Sequence, residues 1–238
     1  MFQVFVQRQN LRVNLASELK TMTNQLDHIV IAHPDLNLAI EEFADLTGCK
    51  PAYGGPHIGG GTHNALASLG DSVYLELISP DPAQINERTI QQASNLGQRI
   101  ATFEGNQLLA WAIRSGTLDE MAGDLHGFET ASPFDMSRKQ PDGLVLDWRL
   151  MNLRHHELKG FAPFFIDWLS CPHPAGTNPV AGKFVSLKVS HPDPRLGKVI
   201  SETEGVNFVQ GEADFVLEFE SPRGTVVLSD SVLEGFWP

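Results

Sequence analysis

The chain has 238 residues, 42% hydrophobic and 19% charged, enough for one large domain or two small ones with a core that needs no disulfides. A stapled mini-protein, a collagen-like or coiled-coil rod and long disorder are all disfavoured. Seventeen Lys and Arg against 29 Asp and Glu give a net charge of −12, which repels phosphate backbones and anionic leaflets; neither nucleic acid nor a membrane is expected as a partner.

Residues 1–25 read as an N-terminal arm with a short alternating run at Phe2, Val4 and Val6. They lack the apolar core and small-residue cleavage site of a secretory signal, and no later apolar run approaches the ~18 residues that span a bilayer. A cytoplasmic location is expected. Leu26–Ala32 is an extended apolar run. His33-Pro34-Asp35 then starts a helix with Leu36, Ile40, Phe43 and Leu46 at helical spacing, stopped by Gly48. Extended runs follow over His63–Leu69 and Val73–Ser79, with a Gly-Asp turn between them. Gln84–Gly105 reads as a helical connection anchored by Ile85, Ile90 and Ile100.

The opening frame recurs without gaps at Leu108–Leu118, where Leu118, Met121, Ala122 and Leu125 make the apolar helix face and Gly127 the stop. Extended runs over Gly143–Leu150 and Pro163–Leu169 complete it. A Pro/Gly loop over Pro172–Gly182 leads to a third copy from Phe184, in which His191-Pro192-Asp193 repeats the first helix start verbatim. Asp214–Glu220 and Thr225–Ser229 are its later strands. The predicted class is α+β: repeated β-α-β-β-β units forming a cupped, mostly antiparallel sheet with helices outside, the second strand of each unit being the least defined. Residues 26–238 read as one domain, with unit one at 26–82, a connection at 83–107, unit two at 108–171 and a third, partial unit at 183–229. That third unit either completes the sheet or makes a homodimer surface.

Strand alternation puts His28 on a face with Leu26 and Val30, and Asp27 with Ile29 and Ile31. Glu76 shares a face with Tyr74 and Ile78, and Asp167 with Phe165 and Leu169. A carboxylate among such neighbours keeps its proton through a raised pKa or has a cationic partner, and a metal ion is one such partner. His28, Glu76 and Asp167 are therefore candidate ligands for a divalent Zn, Fe, Mn, Ni or Co. Without metal, Glu76 or Asp167 is the candidate catalytic base. His63, Asn64, Arg138 and Trp148 are candidate substrate contacts, and Arg138 and Arg149 candidate anchors for a substrate carboxylate. His33 and His191 read as solvated residues at helix starts. His57 and His63 flank the triple glycine 59–61, a place for close backbone approach or a lid. His173 sits in a loop of the kind that can cover a cavity mouth. Cys49 and Cys171 have no CxxC spacing and are expected to be idle thiols.

In chain order, Leu26–Ala32, Gly61–Leu66, Tyr74–Ile78, Met136–Arg138 with Pro141–Gly143 and Trp148–Leu150, Pro163–Trp168 and Ser221–Thr225 resemble the glyoxalase-like branch of the vicinal oxygen chelate superfamily. The resemblance runs from about residue 26 to 229. It implies paired β-α-β-β-β units cupped around a metal or ligand pocket, with ligands from the first and fourth strands of each unit: His28 and Glu76 from unit one, Asp167 from unit two. Ala110 stands where the resemblance implies a second first-strand ligand, which departs from both the four-ligand glyoxalase pattern and the two-His-one-carboxylate dioxygenase pattern. Three ligands still leave open positions on a catalytic metal. The implied function is a metal-dependent lyase, isomerase or oxygenase acting on a small oxygen-bearing organic molecule. The alternative is a metal-free module that binds or sequesters a small molecule, with Trp111, Phe165 and Trp168 lining the concave face.

Overall fold

The computed structural model describes residues 24–57, 60–84, 96–140, 142–201 and 203–229. The arm at 1–23, with Phe2, Val4 and Val6, and the anchors Ile85 and Ile90 lie outside the described residues. Unit one consists of β1 (Asn24–Ala32), α1 (Leu36–Thr47), β2 (Ala52–Pro56), β3 (Thr62–Ser68) and β4 (Tyr74–Pro80). A short α2 (Leu96–Ile100) follows, its Ile100 buried as expected. Unit two consists of β5 (Gln107–Arg114), α3 (Leu118–Met121), a small hairpin of β6 (Asp124–Leu125) and β7 (Phe128–Glu129), then β8 (Phe134–Lys139), β9 (Val145–Asn152) and β10 (Phe164–Asp167).

These strands form one curled sheet in the order β2-β3-β4-β1-β5-β10-β9-β8. The order is a mirror pair. In each unit the fourth strand runs parallel beside the first, β4 beside β1 and β10 beside β5, and the two first strands meet antiparallel at the centre. The outer ends approach each other as well: His57, just past β2, bridges Arg138 of β8, so the sheet nearly closes on itself. The inner face carries Val30, Leu66, Tyr74, Ile78, Ala110, Ala112, Leu146, Trp148, Phe164, Ile166 and Trp168 as one apolar cluster.

The outer face is covered by α1 and by a second sheet. Asp35 caps α1 by accepting from the Asn37 and Leu38 amides, Leu36, Ala39, Ile40 and Phe43 bury its apolar stripe, and Gly48 ends it in the left-handed conformation (φ 80°). The second helix is shorter than its pattern suggests. Ala122 is already extended after Met121, and the chain turns into the β6–β7 hairpin through Gly123 and Gly127, both at positive φ.

The C-terminal segment contains β11 (Lys183–His191), α4 (Pro194–Ile200), β12 (Thr203–Glu204), β13 (Val206–Gln210), β14 (Asp214–Ser221) and β15 (Gly224–Ser229). It starts like the other two units and is then wired differently. Its second long strand, β13, runs parallel beside β11, and the result is a separate four-stranded sheet, β13-β11-β14-β15. Among its described strands, only β12 joins the large sheet, beside the first two residues of β1. Leu187, Val189, Phe215, Leu217 and Phe219 of the small sheet enter the outer core with Ile29, Phe43, Trp111 and Phe165, and Phe43 stacks on Phe219 at 6.4 Å. This sheet backs the cup instead of extending it. His33 and His191 are buried, not solvated: in both, Nδ1 accepts the amide of the Asp two residues on, so the repeated His-Pro-Asp wording builds the same turn twice.

Candidate active site

A chain of polar side chains crosses the largely apolar inner face. Its centre is a bulge. The pairing of β1 with β5 slips between Leu26 and His28, leaving Asp27 as the extra residue. Strict alternation would send Asp27 outward with Ile29. With the slip, Leu26 joins the outer core, while the Asp27 carboxylate lies against His28 on the inner face, fully buried.

Asp27 accepts three hydrogen bonds: from His28 Nδ1 at 2.7 Å to one oxygen, and from His173 Nε2 at 2.9 Å and Trp168 Nε1 at 3.1 Å to the other. Arg114 Nη1 stands 3.9 Å away. Burial by itself would raise the Asp27 pKa, but the hydrogen bonds and charges of His173 and His28 outweigh it and hold the carboxyl far below its ordinary value. His173 is delivered by the loop before β11. The Ser68 amide donates to Pro179 O, the Ala181 amide donates to Ser68 O, and Ser68 Oγ donates to Ala175 O, tying that loop along β3.

With its Nδ1–H given to Asp27, His28 presents Nε2 to Glu76 Oε2 at 3.5 Å. Its ring stacks on Tyr74 (4.6 Å, 16°) and meets Phe164 edge-on at 5.3 Å, which fixes its plane. The other oxygen of Glu76 accepts from Asn64 Nδ2 at 2.7 Å and faces His57 Nε2 at 3.4 Å. Desolvation would raise the Glu76 pKa, yet His57, His28 and Asn64 together bring it down to about 2. Of the two outcomes expected for a carboxylate in such surroundings, a raised pKa or a cationic partner, Glu76 takes the second: the apolar neighbours are present, but so are the imidazoles.

Asn64 links Glu76 to Arg138, whose Nη1 donates to Asn64 Oδ1 at 3.0 Å. Gly54 makes room for that pair. A Cβ there would stand 2.3 Å from Asn64 Oδ1 and 2.4 Å from Arg138 Nη1.

Of the expected site residues, His28, Glu76, Asn64, Arg138 and Trp148 share the inner face. His63 does not. It alternates with Asn64 and packs on the outside, edge-on to Tyr53 at 6.0 Å. Asp167 is also elsewhere: the alternation that turns Phe164 and Ile166 inward turns Phe165 and Asp167 outward. There Asp167 accepts from the Leu169 amide at 2.9 Å and lies in register with Arg149. Arg149 itself is engaged by Asp119 at 2.7 Å on that outer side. Trp111 and Phe165 belong to the outer core, and Trp111 Nε1 donates to Phe161 O at 3.0 Å, so of the three rings expected to line a binding face only Trp168 does so. Three participants were not among the expected site residues: Asp27, His57 and His173.

Residues 26–200 match the family model of the glyoxalase-like domain. The chain belongs to that family. Its sheet is that of the vicinal oxygen chelate fold. A hypothetical protein from Staphylococcus aureus is similar at TM-score 0.59 and 14% identity, over 90% of this chain and 88% of the other, a likeness of fold alone. Weaker likenesses are to methylmalonyl-CoA epimerase from Mycobacterium tuberculosis (TM-score 0.39, 21% identity, 60% of this chain and 85% of that one) and to a methylmalonyl-CoA epimerase in complex with methylmalonyl-CoA and NH4+ (TM-score 0.45, 19% identity, 64% and 99%). A search of curated proteins finds no match.

A metal is what this glyoxalase-like fold implies, and the ligand set expected for it, His28, Glu76 and Asp167, does not come together. Ligands of a metal ion converge on one point at about 2.0–2.2 Å. Here His28 and Glu76 are neighbours on the inner face, but Asp167 lies on the other face of the sheet. Among the described residues no group of three or more His, Cys, Asp or Glu side chains has the geometry to hold a metal. The described residues also include no helix long and apolar enough to cross a membrane.

Because the Asp27 and Glu76 pKa values are depressed in the folded chain, their contribution to stability is full above the ordinary carboxylate range and is lost as the pH falls through the folded values. Urea denaturation should show stability dropping between about pH 4.5 and about 2, by on the order of 3 kcal/mol for Glu76 alone. Glu76→Gln should flatten that part of the profile; an unchanged profile would contradict the pairing.

Proposed function

We propose that this glyoxalase-like chain is a proton-transfer enzyme, an isomerase or lyase acting at a carbon beside a carbonyl or hydroxyl of a small organic molecule. His28 is the group that carries the proton. The observation behind this reading is the order Asp27–His28–Glu76 on the inner face: one imidazole held between two ionised carboxylates, its Nδ1 committed to the first and its Nε2 facing the second.

That order assigns the roles. A carboxylate whose pKa is about 2 is a poor base near neutral pH, which removes Glu76 from the part of general base. Imidazole is the side chain suited to trade a proton there. Asp27 fixes the tautomer that leaves Nε2 free to accept, as the buried aspartate does in a serine-protease triad. A substrate C–H proton moves to His28 Nε2, the C–H electron pair passes into the carbonyl as an enolate, and the imidazolium so formed lies between two negative charges. Return of the proton to the same carbon gives exchange with solvent; its delivery to the neighbouring carbon of the enediolate of an α-hydroxy carbonyl, as the hydroxyl proton passes to the enolate oxygen, completes an isomerisation. Beyond Glu76 on the same face stand Asn64 and Arg138, where developing oxyanion charge would meet a guanidinium.

Solvent-deuterium wash-in tests the reading. Proton NMR of 2-hydroxy and 2-oxo acids in D2O with the protein is expected to show loss of the signal of the C–H beside the carbonyl or hydroxyl, undiminished after exhaustive dialysis against a chelator. Wash-in that disappears with the chelator and returns with added Mn, Fe, Ni, Co or Zn would replace His28 acting alone with a metal centre. Saturable binding without wash-in for any substrate would instead make the chain a binding module.

A further inference from the structure

Arg138 stands out among the buried charges. It is 3% exposed, on the inner face beside Leu146 and Trp148, and no carboxylate lies within ion-pair distance of it among the described residues. Its one side-chain hydrogen bond is to the neutral Asn64 amide, and its Nε has no partner. A guanidinium offers five N–H donors in a planar fork, and removing it from water without an anion to meet it is costly. The other buried charges of this face are matched: Asp27 has His28 and His173, and Glu76 has His28, His57 and Asn64. The cation alone is left over.

We infer that Arg138 is the anchor for a carboxylate of the substrate, so that the molecule taken by this site is a small organic acid whose reacting carbon lies one or two bonds from that carboxylate. This rests on the proton-transfer reading above and adds the substrate class to it. Arginine matches a planar carboxylate with two parallel N–H···O bonds, which lysine does not. The unpartnered Nε lies on the edge that forms such a fork with one Nη. Asn64 fixes the place of the anchor relative to the chemistry, because its two amide atoms touch Arg138 on one side and Glu76 on the other. A carboxylate held there sets the rest of a small molecule toward the Glu76–His28 side of the face. Gly54, whose Cβ would collide with both Arg138 Nη1 and Asn64 Oδ1, is the small residue that this placement requires.

The test is a binding measurement, independent of turnover. Quenching of tryptophan fluorescence is titrated with lactate and pyruvate and with lactamide, the uncharged counterpart of lactate, Trp148 and Trp168 reporting from the same face. The wild-type protein is expected to bind at least one of the two acids and to bind lactamide about 10–100-fold more weakly, the fold-change that one charge-assisted recognition supplies. Arg138→Gln should lose that preference, and Arg138→Lys should recover only part of it. Equal binding of lactate and lactamide, no binding of either acid, or an unchanged preference in Arg138→Gln would overturn the inference. If Arg138→Gln does not fold, the acid and amide titrations of the wild type decide alone. Failure of the two readings is distinguishable: acids that bind through Arg138 without deuterium wash-in sink the proton-transfer proposal and keep the anchor, whereas wash-in with no preference for the charged ligand does the reverse.

Discussion

Asp27→Ala is expected to cost about 3–5 kcal/mol of stability, the range for removing one partner from a buried charged pair. The carboxylate is fully buried and accepts from His28, His173 and Trp168 at once. Alanine leaves three donors facing a gap that holds no acceptor, and each unmet buried donor carries a desolvation cost of about 1–3 kcal/mol. It also releases the loop that carries His173, since the His173–Asp27 bond is its tie to β1. Urea unfolding at neutral pH measures the change. A loss under about 1 kcal/mol would mean that the cluster relaxes or hydrates freely, and the tight network described above would be wrong.

Asp27→Asn is the subtler variant and the larger effect on activity. The amide keeps the shape but can offer its NH2 to His28 Nδ1, which then accepts and leaves Nε2 protonated. That is the wrong tautomer for taking a proton. In a serine protease the same exchange drops turnover by about ten-thousandfold with the geometry intact, and a loss of roughly a thousandfold or more in deuterium wash-in is expected here, with ligand binding little changed. Equal rates in wild type and variant would remove His28 from the role of base.

Much of the fold is legible in the sequence because its cause is local. The apolar runs that become β1, β4, β5, β10 and β11 are separated by helix starts and glycine stops that capping chemistry requires, and the two His-Pro-Asp starts build the same turn. The second strands of the units, β2, β8 and β13, carry the weakest pattern in the sequence. Two of them, Ala52–Pro56 and Val206–Gln210, are short and half exposed, and Phe134–Lys139 is polar at every other position. The different wiring of the third unit is a matter of long-range pairing, which no strand announces in its own residues.

The candidate site is legible where alternation holds. Glu76, Asn64 and Arg138 reach the inner face because β3, β4 and β8 are regular, and Asp167 falls outside by the same rule once the inner face is known. Asp27 escapes the rule because one slipped pair moves a single residue to the other face. A signal for it did exist: a charged residue beside a histidine in an otherwise apolar strand must be paired somewhere, the argument applied to Glu76. His57 and His173 arrive from outside the regular strands, so no periodicity places them.

The most direct test is deuterium wash-in into a small 2-hydroxy or 2-oxo acid, followed by proton NMR, for the wild-type protein beside His28→Gln, which keeps a polar side chain of similar reach but cannot carry the proton. Catalysed wash-in by the wild type, reduced to background in His28→Gln while both proteins remain folded by circular dichroism, is the predicted result. Catalysis of equal rate in the two proteins would contradict it.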